Sequence, residues 1–143
     1  MEIDLSVSTT IVGKQRPRFK RIGKKFMTYT PTKTQIFEDV IAEEFRKQYP
    51  AGIIPFPEEP LEMSCDFIFQ MPKSWSNKKR TELESKRCIS RKKPDIDNCM
   101  KSVMDALNGL AYTDDSQVTD TGNCKKIWGQ KEGVVIKIRR VEE

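Results

Sequence analysis

From Leu61 to Phe69 every odd position is apolar (Leu61, Met63, Cys65, Phe67 and Phe69), while Glu62, Ser64 and Asp66 fall between them. Side chains on a strand point alternately to opposite faces, so this run places its whole apolar set on one side and predicts a half-buried β-strand. Two other segments share the period of two. Glu2 to Val7 sets Ile3, Leu5 and Val7 against Glu2, Asp4 and Ser6, and near the end Val134, Ile136 and Ile138 alternate with Val135, Lys137 and Arg139. Gln117 to Ile127 is a weaker strand candidate, closed by Trp128.

Helical spacing occupies the intervals. Ile36, Phe37, Val40, Ile41 and Phe45 recur as one helical face, and Thr32-Lys33-Thr34-Gln35 offers a hydroxyl cap with Gln three residues on, so a helix is predicted from there to about Tyr49. Four prolines and a glycine between Pro50 and Pro60 prevent its continuation. Ser76 to Lys86 reads as a short polar helix with little apolar surface to bury, and hence as a surface element. After Pro94, Met100, Val103, Met104 and Leu107 return at helical spacing until Asn108-Gly109 supplies a stop, giving a helix of about three turns. Gly13 to Lys25 contains Pro17 and Gly23 and reads as an extended loop or irregular hairpin. The length of 143 residues suits one domain, residues 1–143.

No histidine occurs. Hydrolases with an imidazole base, His-ligated zinc and facial-triad iron are thereby excluded, and catalysis must rest on carboxylates, lysine, hydroxyls or metal-activated water. The four cysteines are at least 11 residues apart, which argues against a zinc site and for reduced structural thiols. No apolar run approaches the roughly 18 residues of a membrane span, and the first ten residues lack the basic start and apolar centre of a signal peptide. A soluble, cytoplasmic protein with no membrane partner is expected.

The net charge of +5 is unevenly spread. Residues 14–25 carry Lys14, Arg16, Arg18, Lys20, Arg21, Lys24 and Lys25 with no acid. Residues 71–93 hold Lys73, Lys78, Lys79, Arg80, Lys86, Arg87, Arg91, Lys92 and Lys93 against Glu82 and Glu84 alone. Two basic segments on an otherwise acidic chain point to a polyanion, with a pair of solvated loops as the alternative.

The acids are grouped as well. Asp95 and Asp97 stand at the entrance of the helix after Pro94, where free amides and the positive end of the dipole favour carboxylates. Asp97, Lys101 and Asp105 are four apart and share a face, and a short loop after Gly109 lets Asp114 and Asp115 return toward them. Oxygen ligands without histidine suit Mg²⁺, which in phosphodiester hydrolysis activates the attacking water and stabilises the leaving oxygen. Lys101 would orient that water or neutralise phosphorane charge. The same residues also fit plain structural roles: Asp95 and Asp97 as helix caps, Asp97, Lys101 and Asp105 as a salt-bridge ladder, Asp114 and Asp115 as turn residues. Spacing alone leaves both open.

The run Lys93-Pro94-Asp95-Ile96-Asp97-Asn98, with Lys101, Asp105-Ala106-Leu107-Asn108-Gly109 and Asp114-Asp115-Ser116-Gln117-Val118, closely resembles the RusA-type Holliday junction resolvases of prophages and bacteria. Arg16-Pro17-Arg18, Tyr29-Thr30-Pro31 and Met71-Pro72-Lys73-Ser74-Trp75 extend the likeness over most of the chain. Where some members have a proline-rich stretch, this chain has Gly13-Lys14-Gln15-Arg16-Pro17-Arg18, so no cleavage-sequence preference is carried over.

The resemblance implies a small α/β (α+β) fold in which a mixed sheet of about four strands packs against two or three helices. It also implies a homodimeric, Mg²⁺-dependent endonuclease, with Mn²⁺ as a substitute and no small-molecule cofactor, that nicks four-way junction DNA symmetrically in recombination and repair. By motif position Asp95, Asp97 and Asp115 would bind metal, with Asp114 as a weaker candidate; Lys101 would be the catalytic lysine and Asp105 its support. Phosphate contacts are expected from Lys14, Arg16, Arg18, Lys20, Arg21, Lys24 and Lys25, and from Lys73, Lys78, Lys79, Arg80, Lys92 and Lys93. Phe19, Phe26 and Trp75 are expected in the core, with stacking on DNA as the alternative. Two other functions compete: a non-catalytic junction or single-strand binding module, and a broader flap or fork nuclease.

Overall fold

The computed structural model describes residues 1–14, 18–29, 31–85 and 89–142. Arg16, Lys86, Arg87 and Cys88 lie outside them.

The alternating run becomes β4 (Leu61–Gln70), a strand with neighbours on both sides. On one side it pairs antiparallel with β7 (Gly133–Arg140), and β7 pairs antiparallel with β1 (Glu2–Ser8). On the other side β4 pairs in parallel with two short strands, β5 (Val118–Asp120) and β6 (Cys124–Gly129). The mixed sheet thus has five strands rather than about four. The weak candidate over Gln117 to Ile127 is one edge strand broken in two. Along it Leu61 faces Val118 and Glu62 faces Asp120, whereas Cys65 faces Cys124, so the edge carries one extra residue at Thr119 and one more within the break at Thr121, Gly122 and Asn123. Trp128 lies within β6 instead of closing it.

Every odd residue of β4 is buried, and on that face lie α1 (Thr32–Gln48) and α3 (Ile96–Leu107). Phe37, Ile41 and Phe45 of α1 and Val103 and Leu107 of α3 meet Ile3, Leu5, Met63, Phe67, Ile136 and Ile138 of the sheet. Burying one such side chain stabilises by about 1.5–3 kcal/mol. The helix start differs from expectation: Pro31 is the N-cap and provides no side-chain cap, while Gln35 donates to Asp39 Oδ1 at 2.8 Å. Thr34 is fully buried and Ile36 is exposed, so Thr34 takes the inward place. The polar helix α2 (Asn77–Ser85) buries none of its residues. Among the described residues no helix is long and apolar enough to cross a membrane.

The basic loop is a hairpin, β2 (Arg18–Ile22) and β3 (Lys25–Tyr29), turned at Gly23 with φ of 61°. It forms its own two-stranded sheet, and every residue from Phe19 to Thr28 is exposed. Phe19 (74% exposed) and Phe26 (70%) are therefore not core residues, contrary to expectation. The ribbon pairs with no strand of the main sheet and has no second layer against it, so both its faces meet water.

Tyr112 closes the core beneath α3. Its side chain is fully buried and its hydroxyl donates to the Met104 carbonyl at 2.6 Å, satisfying an acceptor in the last turn of the helix. Burial above all, then the nearby Asp115 and Asp105, pushes this phenol far above its ordinary value. A folded state that holds a proton the unfolded chain releases near pH 10 loses stability as pH rises past that point. The melting temperature is expected to decline from about pH 9, where the buried Cys99 thiol holds a proton that the unfolded chain releases, and to fall more steeply above about pH 10 as Tyr112 adds its share. Tyr112→Phe should cost about 1–1.5 kcal/mol at neutral pH and flatten that alkaline fall. Thermal melts of both proteins check this, and an equal alkaline fall in the two would disprove it.

Candidate active site

The helix α3 is amphipathic: Cys99, Met100, Ser102, Val103, Ala106 and Leu107 are buried, while Asp97 and Lys101, one turn apart, face outward. Asp95 is its N-cap residue, yet its side chain makes no capping hydrogen bond. Nor is the anticipated ladder built: among the described residues Lys101 forms no ion pair with Asp97 or Asp105, and Asp105 turns to Lys14 at 3.1 Å. Lys14 also reaches Glu38 of α1 at 2.8 Å and its side chain is only 16% exposed. Burial by itself lowers the Lys14 pKa, but the hydrogen bonds and charges of Glu38 and Asp105 outweigh it and hold the ammonium above its ordinary value. Lys14, expected among the phosphate contacts, is thus a clamp between α1, α3 and the chain entering the hairpin.

That chain lies directly on the entrance of α3. Lys14 N donates to Asn98 O at 2.9 Å, and Ser102 Oγ donates to Val12 O at 3.0 Å. A Cβ on Gly13 would stand 2.6 Å from Cβ of Pro94, so glycine is what permits this approach. From the other side Lys126 of β6 donates to the carbonyls of Lys92 (2.8 Å) and Pro94 (3.1 Å). The Lys93–Pro94 peptide is cis. Asp95 and Asp97 therefore follow a segment held from two sides, by Gly13-Lys14, which stands out in the sequence only as part of the basic segment, and by Lys126, which does not stand out there.

The second acidic pair divides by role. Asp114 caps a short 3₁₀ helix, Asp115–Gln117: its Oδ2 accepts from Ser116 N at 3.2 Å, and that contact holds its carboxyl below the usual range. Gln117 completes a capping box by accepting from Asp114 N at 3.1 Å, and also accepts from Thr113 N at 2.8 Å. Its amide nitrogen donates to Phe56 O at 3.0 Å and Glu59 O at 3.1 Å. Gln117 thus ties this turn to the proline-rich linker, a role that Asp-x-x-Gln spacing could have signalled. Asp115, released from capping, points elsewhere.

It points toward α3. Asp97, Lys101 and Asp115 line a single cavity of about 570 Å³. Its remaining walls are Ile96, Met100 and Met104 of α3 with Thr121 and Cys124 from the break in the edge strand. That irregularity opens the space, as bulges beside functional sites commonly do. Asp95, Asp105 and Asp114 are not among the lining residues. Among the described residues no three His, Cys, Asp or Glu side chains converge closely enough to hold a metal ion by themselves. Beneath the cavity Cys99 is buried, and burial pushes its thiol up to about 11. Cys65, Cys99 and Cys124 are free thiols, as expected.

The cations of the two basic segments lie outside this cavity. Lys20, Arg21, Lys24 and Lys25 are exposed on the hairpin, where Arg18 opens β2. Lys73, Lys78, Lys79, Lys92 and Lys93 are exposed and Arg80 is half-buried. Trp75 is half-buried against Trp128, edge to face at 5.0 Å between centroids, with the Lys79 ammonium 4.2 Å above its ring.

A family model described as endodeoxyribonuclease RusA matches residues 9–139, which takes in both acidic motifs and the broken edge strand. The chain belongs to the RusA endodeoxyribonuclease family. Relatives align along nearly all of it. The crossover junction endodeoxyribonuclease RusA of Aquifex aeolicus (strain VF5) is 28% identical over 139 residues, covering 96% of this chain and 91% of that protein. The uncharacterized protein YqaN of Bacillus subtilis (strain 168) is 35% identical over 132 residues, 91% of this chain and 90% of its own. With the RusA family stands an endodeoxyribonuclease activity, so the cavity uniting Asp97, Lys101 and Asp115 is the candidate for its reaction centre.

Proposed function

We propose that this protein is a crossover junction endodeoxyribonuclease that acts as a homodimer, requires Mg²⁺ and nicks four-way DNA symmetrically in recombination and repair. The observation that carries the reading is the gathering of Asp97, Lys101 and Asp115 from two separate motifs around one cavity. The two carboxylates offer oxygen donors, as a hard cation requires, and Mg²⁺ is usually held by one or two carboxylates together with water and substrate phosphate rather than by a full protein cage. Asp97 and Asp115 would hold the ion, and Asp95, two residues before Asp97 at the helix entrance but not on the cavity wall, would complete the set as a third carboxylate. Bound there, the cation supplies Lewis-acid polarisation of a phosphoryl oxygen.

The chain's own groups do the rest. Lys101 brings a fixed positive charge to the cavity, where charge on the phosphate grows during hydrolysis. The exposed cations of the hairpin and of Lys73 to Lys93 hold the flanking backbone. Two protomers are needed because each chain carries one such cavity and a two-fold symmetric junction requires two cuts.

The test is incubation with a labelled immobile four-way junction, a matched duplex and a flap, each in Mg²⁺ and in EDTA, with products resolved on a denaturing gel. Paired nicks confined to the junction in Mg²⁺ are expected. Equal cutting of the flap would replace the reading with a broader structure-specific nuclease, and binding without cleavage even in Mn²⁺ would make the acids scaffold.

A further inference from the structure

The cavity is larger and more apolar than phosphodiester chemistry requires. On α3 two neighbouring stripes enter it: Asp97 and Lys101 on one, and Ile96, Met100 and Met104, each four residues apart, on the next. A phosphate or a hydrated cation gains nothing from three aliphatic side chains, and Ile96 is left 38% exposed beside the acids. The volume of about 570 Å³ falls within the range of sites that enclose an organic group, ~300–1,000 Å³. Opposite α3, where the edge strand is interrupted, the wall is formed by the hydroxyl-bearing Thr121 and by Cys124.

Resting on the nuclease reading above, we infer that this apolar stripe is a nucleobase pocket: it receives one unstacked base of the strand being cut, next to the scissile phosphate at Asp97, Lys101 and Asp115. A base is the group that matches these walls. It is flat and apolar on its faces, polar along its edge, and covalently tied to the phosphate that the adjacent stripe serves. Thioether and aliphatic chains pack against either face of a ring without demanding one base, and methionine adapts its shape to do so. Unstacking costs least where stacking is already interrupted, which favours cutting at the exchange point of a junction over cutting in continuous duplex.

The experiment pairs the DNA with the wall. Four-way junctions are made with a single abasic residue, or a single 2-aminopurine, at each of the nucleotides around the exchange point. They are tested with the full-length wild type, Met104→Ala and Ile96→Ala, thermal melts confirming that each variant is folded. At one position the abasic residue is expected to slow wild-type single-turnover cleavage about tenfold, on the scale of one stacked base. Met104→Ala should slow cleavage of the intact junction by a similar factor and slow the abasic one little further, the coupling expected of groups that touch. In EDTA, 2-aminopurine at that position should brighten on binding the wild type and brighten less with either variant.

A protein that cuts junctions but shows independent, multiplying losses and no fluorescence change overturns the pocket alone. A fluorescence rise without cleavage in Mg²⁺ or Mn²⁺ supports the pocket and overturns the nuclease reading.

Discussion

Asp97→Asn and Asp115→Asn are each expected to reduce cleavage of a four-way junction in Mg²⁺ by roughly 10³-fold or more, the several kcal/mol of transition-state stabilisation that a correctly held cation provides. Junction affinity in EDTA should stay within about threefold or tighten slightly, because removing a negative charge near phosphates does not weaken their binding. The amide keeps the size of the carboxylate, so the cavity retains its shape and only charge and metal affinity change. Asp114→Asn provides the contrast. Its side chain caps the 3₁₀ helix and an amide oxygen can still accept from Ser116 N, so cleavage should fall far less than with Asp115→Asn. Single-turnover gels and filter binding measure both quantities. If Asp114→Asn and Asp115→Asn lose equal activity, the division of roles within the pair is wrong.

Replacing Lys20, Arg21, Lys24 and Lys25 together with glutamine is expected to weaken junction binding roughly 10²-fold at ~0.1 M salt. The slope of log affinity against log salt should fall by as much as ~3.6, about 0.9 for each phosphate that the hairpin no longer neutralises. All four are exposed, on a ribbon that pairs with no strand of the main sheet, so the melting temperature should stay unchanged. Phe19→Ala and Phe26→Ala, made separately, should weaken binding without altering that slope, since stacking on bases releases no counterions. A quadruple variant with an unchanged slope would assign the DNA grip to Lys73 to Lys93 instead.

Much of the fold is legible in the sequence because period-two and helical spacing report which face meets the core. Leu61 to Phe69, Glu2 to Val7 and Val134 to Ile138 each alternate cleanly and each forms a strand with its apolar side inward. The edge after Asp115 is blurred because extra residues at Thr119 and within 121–123 shift the alternation, and a register defect is visible only against the partner strand. Phe19 and Phe26 mislead for the opposite reason: large aromatics are usually buried, but a two-stranded ribbon has no second layer to bury them against. Lys14 is indistinguishable in sequence from its basic neighbours, and only the approach of Glu38 and Asp105 separates it from them.

Residue order alone settles the chemistry open to this protein. With no histidine, oxygen donors and lysine are what remain, and the succession of Asp-x-Asp-Asn, Lys and Asp-Asp-x-Gln-Val marks the RusA family. Which of those groups share a cavity is a matter of packing, because Asp97 and Asp115 are 18 residues apart along the chain and line one space only where α3 lies beside the interrupted strand. Packing also parts look-alike neighbours, giving Asp114 to a helix cap and Asp115 to the cavity. Spacing along a chain fixes the local face on which a side chain emerges, and the packing of elements distant in sequence fixes what that face meets.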